Sequence, residues 1–464
     1  MAASTTSVQF GPYNGRQEGD KGIEIIKGMF FDGTRNNKTN TEGRMEYNKA
    51  RKSTDPADVA KAKAYEENGK DDETSSYQNT YSNVARIWEG YKNDGKIYVE
   101  GIGTTDNGED DTLGFALGTG TTGIRSKVEK GCDLLVSKLP KGRVISKLTL
   151  DVFGFSRGAA AARHFVAEIS KGEERKNGAV TPAMGHFGAA LKSAGLTVER
   201  LEIRFLGVFD TVSSYEPGAS SMASWSALNH DFTNDVEELK LNNIQRAKCV
   251  LHLTAENEHR ENFALTHTHV GVEKTLPGVH CDIGGSYTPG IEKKDEILNG
   301  SSDKLTKERD RLVAEGWFKT EQLTIHSFRR KLSGERNLKN TYSYIPLHLM
   351  IEYGLKFDSQ IPINKALLET QKYVITGDPL LVRAKTKLKA FVFDNGKPYT
   401  FKWFKDIHEK YKGSKLPEQR YADYTKELEE QNDLRKLRNE YMHWSAEYDW
   451  VGMDPTPDRV RVTY

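Results

Sequence analysis

The sequence predicts an α/β protein: a central, mostly parallel sheet flanked by helices, with polar insertions and a mainly helical C-terminal part. Three observations predict it. Strand-like and helix-like segments alternate from residue 23 onward. One junction is a strand, Leu148-Thr149-Leu150-Asp151-Val152-Phe153, a turn, Gly154-Phe155-Ser156-Arg157-Gly158, and a helix-forming run, Ala159-Ala160-Ala161-Ala162. Beyond residue 300 the pattern becomes mainly helical.

The junction is the most informative element. A G-x-S-x-G turn between strand and helix is the context of a nucleophile elbow. Such a turn is tight, so side chains at Gly154 and Gly158 would collide with the strand and helix beside them. The alanines let the helix press close to the sheet. Ser156 then sits at a helix N-terminus, where the N–H of Arg157 points at a developing oxyanion.

Composition removes other classes. The 464 residues suffice for one large domain with insertions, or two domains. Lys+Arg is 67 and Asp+Glu is 66, so no global charge draws the chain to nucleic acid. Mean hydropathy is −0.67 and no apolar run reaches about 18 residues, so no membrane-spanning helix is expected. The N-terminus, Met1-Ala2-Ala3-Ser4-Thr5-Thr6-Ser7, lacks the basic and apolar regions of a secretory signal. Cys132, Cys249 and Cys281 lack metal spacing and read as reduced thiols, so no metal site and no cofactor is expected.

In chain order, residues 1–22 are a polar entry. Ile23-Glu24-Ile25-Ile26-Lys27-Gly28-Met29-Phe30-Phe31 reads as a buried strand ending in the turn Asp32-Gly33-Thr34-Arg35. Chemistry in open α/β sheets gathers beyond the carboxyl ends of strands. The N–H groups of Gly33 and Thr34 are therefore candidates for the second half of an oxyanion hole. Residues 38–78 are charged and poor in large aliphatics, and read as an insertion or mobile loop. A helix is expected over 79–91, a strand over 96–100 and a helix over 121–139. The intervening Gly118-Thr119-Gly120-Thr121-Thr122-Gly123 follows no clean strand and carries no phosphate-loop lysine, so it is not read as a nucleotide site. The acidic run 106–111 lacks calcium-loop spacing.

Past the elbow helix, 171–182 is a polar loop, and Leu201-Glu202-Ile203-Arg204-Phe205-Leu206-Gly207-Val208-Phe209 is a strand ending at Asp210. A carboxylate there, downstream of the serine, fits the chain order Ser, Asp, His. Residues 216–228, with Met222, Trp225 and Leu228, read either as a lid or as ordinary packing. Residues 248–254 form a later strand that carries His252. Ten histidines follow Asp210; His348 lies in an apolar helical pattern and reads as core. His280, in Pro277-Gly278-Val279-His280-Cys281-Asp282-Ile283-Gly284-Gly285, has glycines on both sides that suit a loop-borne site residue, but spacing alone does not single it out. Helices are expected over 303–317, 344–355 and 417–444, and a strand over 388–393. The heavily charged 417–444 helix reads as a solvated face.

Five segments together resemble a known family. They are F-F-D-G-T-R-N-N (Phe30 to Asn37), Y-V-E-G-I-G-T (Tyr98 to Thr104), G-F-S-R-G-A (Gly154 to Ala159), G-V-F-D-T-V (Gly207 to Val212) and P-G-V-H-C-D-I-G-G (Pro277 to Gly285). Their order and spacing resemble the catalytic domains of bacterial type VI secretion lipase effectors, which have an α/β-hydrolase fold and a G-x-S-x-G nucleophile. The resemblance covers residues 23–355 and fades over 356–464, which would be a cap or a partner-docking part. It implies a phospholipase of A type that acts on membrane glycerophospholipid, with Ser156 as nucleophile, Asp210 as acid and His280 as base. Asp32 and Asp282 would support the oxyanion turn and the histidine loop. It implies a spike or adaptor protein of the secretion machine and a cognate immunity protein as partners. The chain would be made in a bacterial cytoplasm without a signal peptide and delivered to a target-cell envelope. Arg35, Cys281 and Ser286 depart from the family pattern, which leaves the pocket shape open. A cytosolic esterase or thioesterase on the same fold, or a hydrolase fold recruited as an interaction module, are the other readings.

Overall fold

The computed structural model describes residues 22–72, 74–111, 122–176, 179–181, 183–213, 236–413, 417–448 and 453–464. The 216–228 segment and the glycine pattern up to residue 121 lie outside the described residues. Strands β1 (Ile23–Phe31), β2 (Lys96–Val99) and β3 (Ile145–Phe155) precede a short antiparallel hairpin, β4 (Glu174–Lys176) and β5 (Ala179–Thr181). Strands β6 (Leu201–Phe209), β7 (Ala247–Ala255) and β8 (Val272–Leu276) follow. Six of these form one parallel sheet in the order β2-β1-β3-β6-β7-β8. The mostly parallel sheet expected from the sequence is present, and β8 is an edge strand that its polar sequence, V-E-K-T-L, conceals.

Parallel strands are covered on both faces, which is why β3 and β6 are buried almost continuously rather than on alternate residues. One face packs under the helices Ile124–Ser137, Arg157–Glu168 and Gly185–Ser193 through Val128, Leu135, Phe165 and Phe187. The other face packs Phe30, Phe153, Phe205 and Leu253 against the helices Asn83–Gly90 and Tyr344–Phe357. The same cluster takes in Leu381, Leu388, Leu434 and Tyr441, so the helices Pro379–Phe393 and Glu418–Glu440 join the sheet's core directly. A second, antiparallel sheet of β9 (Gly290–Asn299), β10 (Leu323–His326) and β11 (Lys331–Leu338), in the order β10-β11-β9, leans on that side through Ile297, Leu332 and Phe318.

Two local expectations are corrected. Residues 38–78 are not a loop: they hold the helices Lys38–Met45, Tyr47–Ala50 and Pro56–Asn68. Asn37 and Asp55 cap two of them, accepting from the N–H groups of Asn40 and Ala57. Packing runs through aromatic edges, Tyr47 on Tyr65 and Tyr65 beside Tyr77, instead of aliphatics. Residues 388–393 are not a strand but the last turns of the helix Pro379–Phe393. Its start is set ten residues upstream, where Asp378 accepts from the N–H groups of Leu380 and Leu381 and Pro379 occupies the first turn.

Candidate active site

The register of the sheet brings the expected residues together. Phe31 of β1 pairs with Gly154 of β3, and Phe155 of β3 pairs with Phe209 of β6. The three adjacent strands therefore end level with one another, and Asp32, Ser156 and Asp210 each come next in the chain. Ser156 donates its N–H to Phe209 O at 3.0 Å, and Val212 N–H returns to Ser156 O at 3.3 Å.

The elbow has the crowding its sequence demands. Ser156 has φ 58° and ψ −130°, a sparsely populated conformation for a residue with a side chain. A Cβ at Gly154 would lie 2.5 Å from Gly158 O, and one at Gly158 would lie 2.1 Å from Asp32 O. Asp210 also has a left-handed backbone, φ 41°. Strain of this kind persists only where surrounding contacts fix it, and it clusters at functional sites.

His280 opens a five-residue helix, His280–Gly284, just past β8. Its Nδ1 lies 2.5 Å from Asp210 Oδ2. A carboxylate can only accept, so Nδ1 carries the proton and Nε2 is the basic nitrogen. Phe155 lies tilted by 33° against the imidazole at 4.6 Å between centroids, and Phe263 meets it edge-on at 5.0 Å. Ser156, Asp210 and His280 are 4%, 0% and 2% exposed, so all three are buried. Burial, the largest influence, pulls the His280 imidazole below its ordinary value against the opposing pull of Asp210. The His280 imidazole is thus disfavoured in its charged form.

At the first turn, Asp32 Oδ1 accepts the Gly33 N–H at 2.7 Å and Oδ2 accepts the Tyr98 hydroxyl at 2.6 Å. Burial pushes the Asp32 carboxyl up to about 6 in spite of these bonds. Arg157 Nε donates to Thr34 Oγ1 at 2.8 Å and ties the elbow to this turn. Burial brings the Arg157 guanidinium down to about 9. Asp282 braces the histidine helix: Oδ2 accepts the Val279 N–H at 3.0 Å, and Oδ1 lies 2.7 Å from His443 Nδ1.

Several neighbours escaped sequence reasoning. Arg461 grips Asp210 with both terminal nitrogens, Nη1 to Oδ1 at 2.7 Å and Nη2 to Oδ2 at 2.9 Å. Burial opposes the charged form of Asp210, but Arg461 and the His280 hydrogen bond outweigh it and hold the carboxyl well below the usual range. Glu258 Oε2 accepts the His280 N–H at 3.2 Å while Arg260 forks onto the same carboxylate at 2.9 Å. Glu258 and Arg260 follow the carboxyl end of β7, a position that could have flagged them. For Arg461 the available signal was the alternation Arg459-Val460-Arg461-Val462-Thr463, which reads as a strand with basic residues on one side. Among the described residues no cluster of His, Cys, Asp and Glu could hold a metal ion, and no helix is long and apolar enough to cross a membrane.

Residues 170–303 match the model of the catalytic domain of Tle1-like phospholipase effectors of the type VI secretion system. The matched span holds Asp210 and His280 and begins after Ser156. Among solved structures, the fold is similar to that of the Tle1 effector bound to the VgrG spike of the type VI secretion system. That match covers 98% of each chain at 20% identity and a TM-score of 0.54. An uncharacterized protein from Pseudomonas aeruginosa is more distant, at 18% identity over 94% of this chain and 65% of its own, with a TM-score of 0.39. Comparison with curated protein sequences gave no match. The matched segment, residues 170–303, is thus similar to the catalytic domain of type VI secretion phospholipase effectors, and the fold is similar to that of a solved effector of this system.

Proposed function

We propose that the chain is a serine-dependent phospholipase of A type, delivered by a type VI secretion machine, that cleaves acyl esters of membrane glycerophospholipids through Ser156, Asp210 and His280. The observation that carries this reading is the level ending of β1, β3 and β6 together with the 2.5 Å contact between Asp210 and His280 Nδ1.

His280 Nε2 takes the Ser156 proton as Oγ attacks the ester carbonyl carbon. The oxyanion accepts hydrogen bonds from backbone N–H groups of Arg157 and the first turn. Gly33 N–H is shared with Asp32, so Thr34 N–H carries more of that side. Collapse of the tetrahedral intermediate expels the lysophospholipid alkoxide, which takes the proton from His280. Water, deprotonated by His280, then attacks the acyl-enzyme, and fatty acid leaves as Ser156 regains its proton. Asp210 orients the imidazole and stabilises its charged form throughout. The family match and the resemblance of the fold to a spike-bound effector favour a secretion spike protein as delivery partner; a toxic effector of this kind would in turn require a cognate immunity protein in the producing cell.

The test is fatty-acid release from phospholipid vesicles by wild type and Ser156→Ala. Release by the wild type alone is expected. Equal release by a folded Ser156→Ala protein would remove the serine from the mechanism.

A further inference from the structure

Resting on that triad reading, we propose that Arg461 is a positioning residue of the reaction: residues 453–464 deliver its guanidinium onto Asp210, where it locks the carboxylate and sets the pH at which His280 works.

The geometry is a complete clamp. Both carboxylate oxygens of Asp210 are held by Arg461, Oδ1 also accepts Ala255 N–H at 2.8 Å, and Oδ2 also serves His280. The guanidinium is itself fixed, because Nε donates to Phe263 O at 2.8 Å and Nη1 also reaches Ala255 O at 3.3 Å. With both partners buried, these bonds hold the Asp210 carboxylate in the orientation that presents Oδ2 to His280. A planar fork matched to a carboxylate supplies this where lysine would not.

The delivery is equally specific. Residues 453–464 run beside 259–267 and are hydrogen-bonded to them along the backbone. Glu261 N–H donates to Asp454 O at 2.9 Å, Thr456 N–H to His259 O at 2.7 Å and Leu265 N–H to Val462 O at 2.9 Å. Tyr464 N–H donates to Leu265 O and His267 N–H to Tyr464 O, both at 2.8 Å. In an ordinary covering strand the valines would face inward. Here Val460 and Val462 are 67% and 41% exposed, while the Arg461 side chain is only 7% exposed. The segment inserts its charge and leaves its apolar residues outside, which is the opposite of what packing alone favours.

The charges around His280 define the consequence. Asp210 follows β6, Glu258 and Arg260 follow β7, and Arg461 comes from the terminal segment. On His280's own helix, Asp282 is engaged by His443 and Val279 N–H, and burial pushes the Cys281 thiol up to about 12, so it stays neutral. Two carboxylates and two guanidiniums thus balance about the imidazole. Loss of Arg461 leaves one net negative charge there, so the Asp210–His280 pair takes up a proton more readily, whichever of the two atoms holds it.

The experiment measures kcat, KM and the pH profile for 4-nitrophenyl butanoate with full-length wild type, Arg461→Met, Arg461→Lys and Ser156→Ala, each checked for folding by near-UV circular dichroism. Arg461→Met should lower kcat at least about tenfold with little change in KM. Its acid limb should move up by roughly one pH unit, the effect of removing a charge within hydrogen-bonding reach of the pair. Arg461→Lys keeps the charge but not the fork, so its acid limb should stay near the wild-type position while kcat falls. A parallel Arg461→Ala preparation, which leaves room for the ion, should regain part of its activity on added guanidinium. An unshifted limb and kcat within about twofold of wild type in folded Arg461→Met would overturn the proposal, as would a limb that moves equally far in Arg461→Lys. A fully active Ser156→Ala would instead overturn the triad itself, and Arg461's role with it.

Discussion

Gly158→Ala tests the elbow most directly, because the clash it creates is backbone against backbone. The new Cβ would lie 2.1 Å from Asp32 O, 2.5 Å from Phe31 O and 2.6 Å from Asp32 C. An ordinary carbon–oxygen contact is about 3.3 Å, so the elbow helix and the end of β1 must separate by roughly 1.2 Å. No side-chain rotation relieves this. Overpacking of this kind costs about 1–3 kcal/mol, and alanine's better helix propensity returns up to about 1 kcal/mol. The loss of stability should therefore be modest. Activity should suffer far more, because the displaced pieces are the two halves of the proposed oxyanion hole, and a misplacement near 1 Å costs about 100-fold. Ester hydrolysis and thermal unfolding of the same preparation separate the two effects. Gly172→Ala, where a Cβ meets nothing within 4 Å, is the control. A Gly158→Ala enzyme with kcat within about threefold of wild type would refute the argument that this glycine sets the spacing of the hole.

Further expectations follow from the buried charges. Asp210→Asn strands the Arg461 guanidinium and gives His280 the wrong partner, so kcat should fall about 10⁴-fold and stability by about 3–5 kcal/mol, read by ester hydrolysis and urea unfolding. Because burial lowers His280, the acid limb of kcat/KM in the wild type should lie below the ordinary imidazole value of about 6.5; a limb above about 7 would contradict the neutral, desolvated base. Burial opposes the charged form of Glu273, but bonds from His252 and His267 outweigh it and hold the carboxyl at about 2. A carboxyl lowered on folding stabilises above its unfolded value and loses that contribution as pH falls, here from about 4.5 to about 2. Glu273→Gln should therefore flatten the stability curve across that window, measured by thermal melting. Arg204 forks onto Asp151 between β6 and β3 at 2.8 and 2.6 Å, with Tyr91 also donating to Asp151. Arg204→Met should destabilise by about 3–5 kcal/mol, and adding Asp151→Asn should recover much of it.

The legible parts of this protein are those fixed by neighbours in sequence. The elbow could be read because strand, turn and helix are contiguous and the glycines answer a local crowding that the structure reproduces at Gly154 and Gly158. Asp210 could be read because it ends a strand. His280 could not be separated from its rivals by local signals, since its place depends on where β7 and β8 join the sheet; the family motif supplied what spacing lacked. Residues 388–393 misled because Leu388, Phe391 and Val392 satisfy both a strand and a helix, and the deciding signal, Asp378-Pro379, lies a helix-length upstream. Residues 38–78 mislead because they are poor in large aliphatics, whereas this segment packs through tyrosines and caps. The alternation around Arg461 marks an extended segment but not its partner, which stands 251 residues away.

The division of labour at the site has a physical logic. Each proposed reactive or donor position comes from a motif at a strand end, where a parallel sheet exposes unsatisfied backbone groups and little else. Those ends are buried, and a buried charge without a partner costs several kcal/mol. The partners come from elsewhere: Tyr98 for Asp32, Arg461 for Asp210, Arg260 and Ser445 for Glu258, and His443 for Asp282. Three of these, Arg461, Ser445 and His443, lie in the stretch where the motif resemblance fades. That stretch also shares its hydrophobic cluster with β3, β6 and β7. An exposed helix face tolerates substitution, whereas the few long polar side chains aimed at the site have fixed partners. Weak sequence resemblance in residues 356–464 and a strict role at 443–461 are therefore compatible, and the site draws on both sides of that boundary.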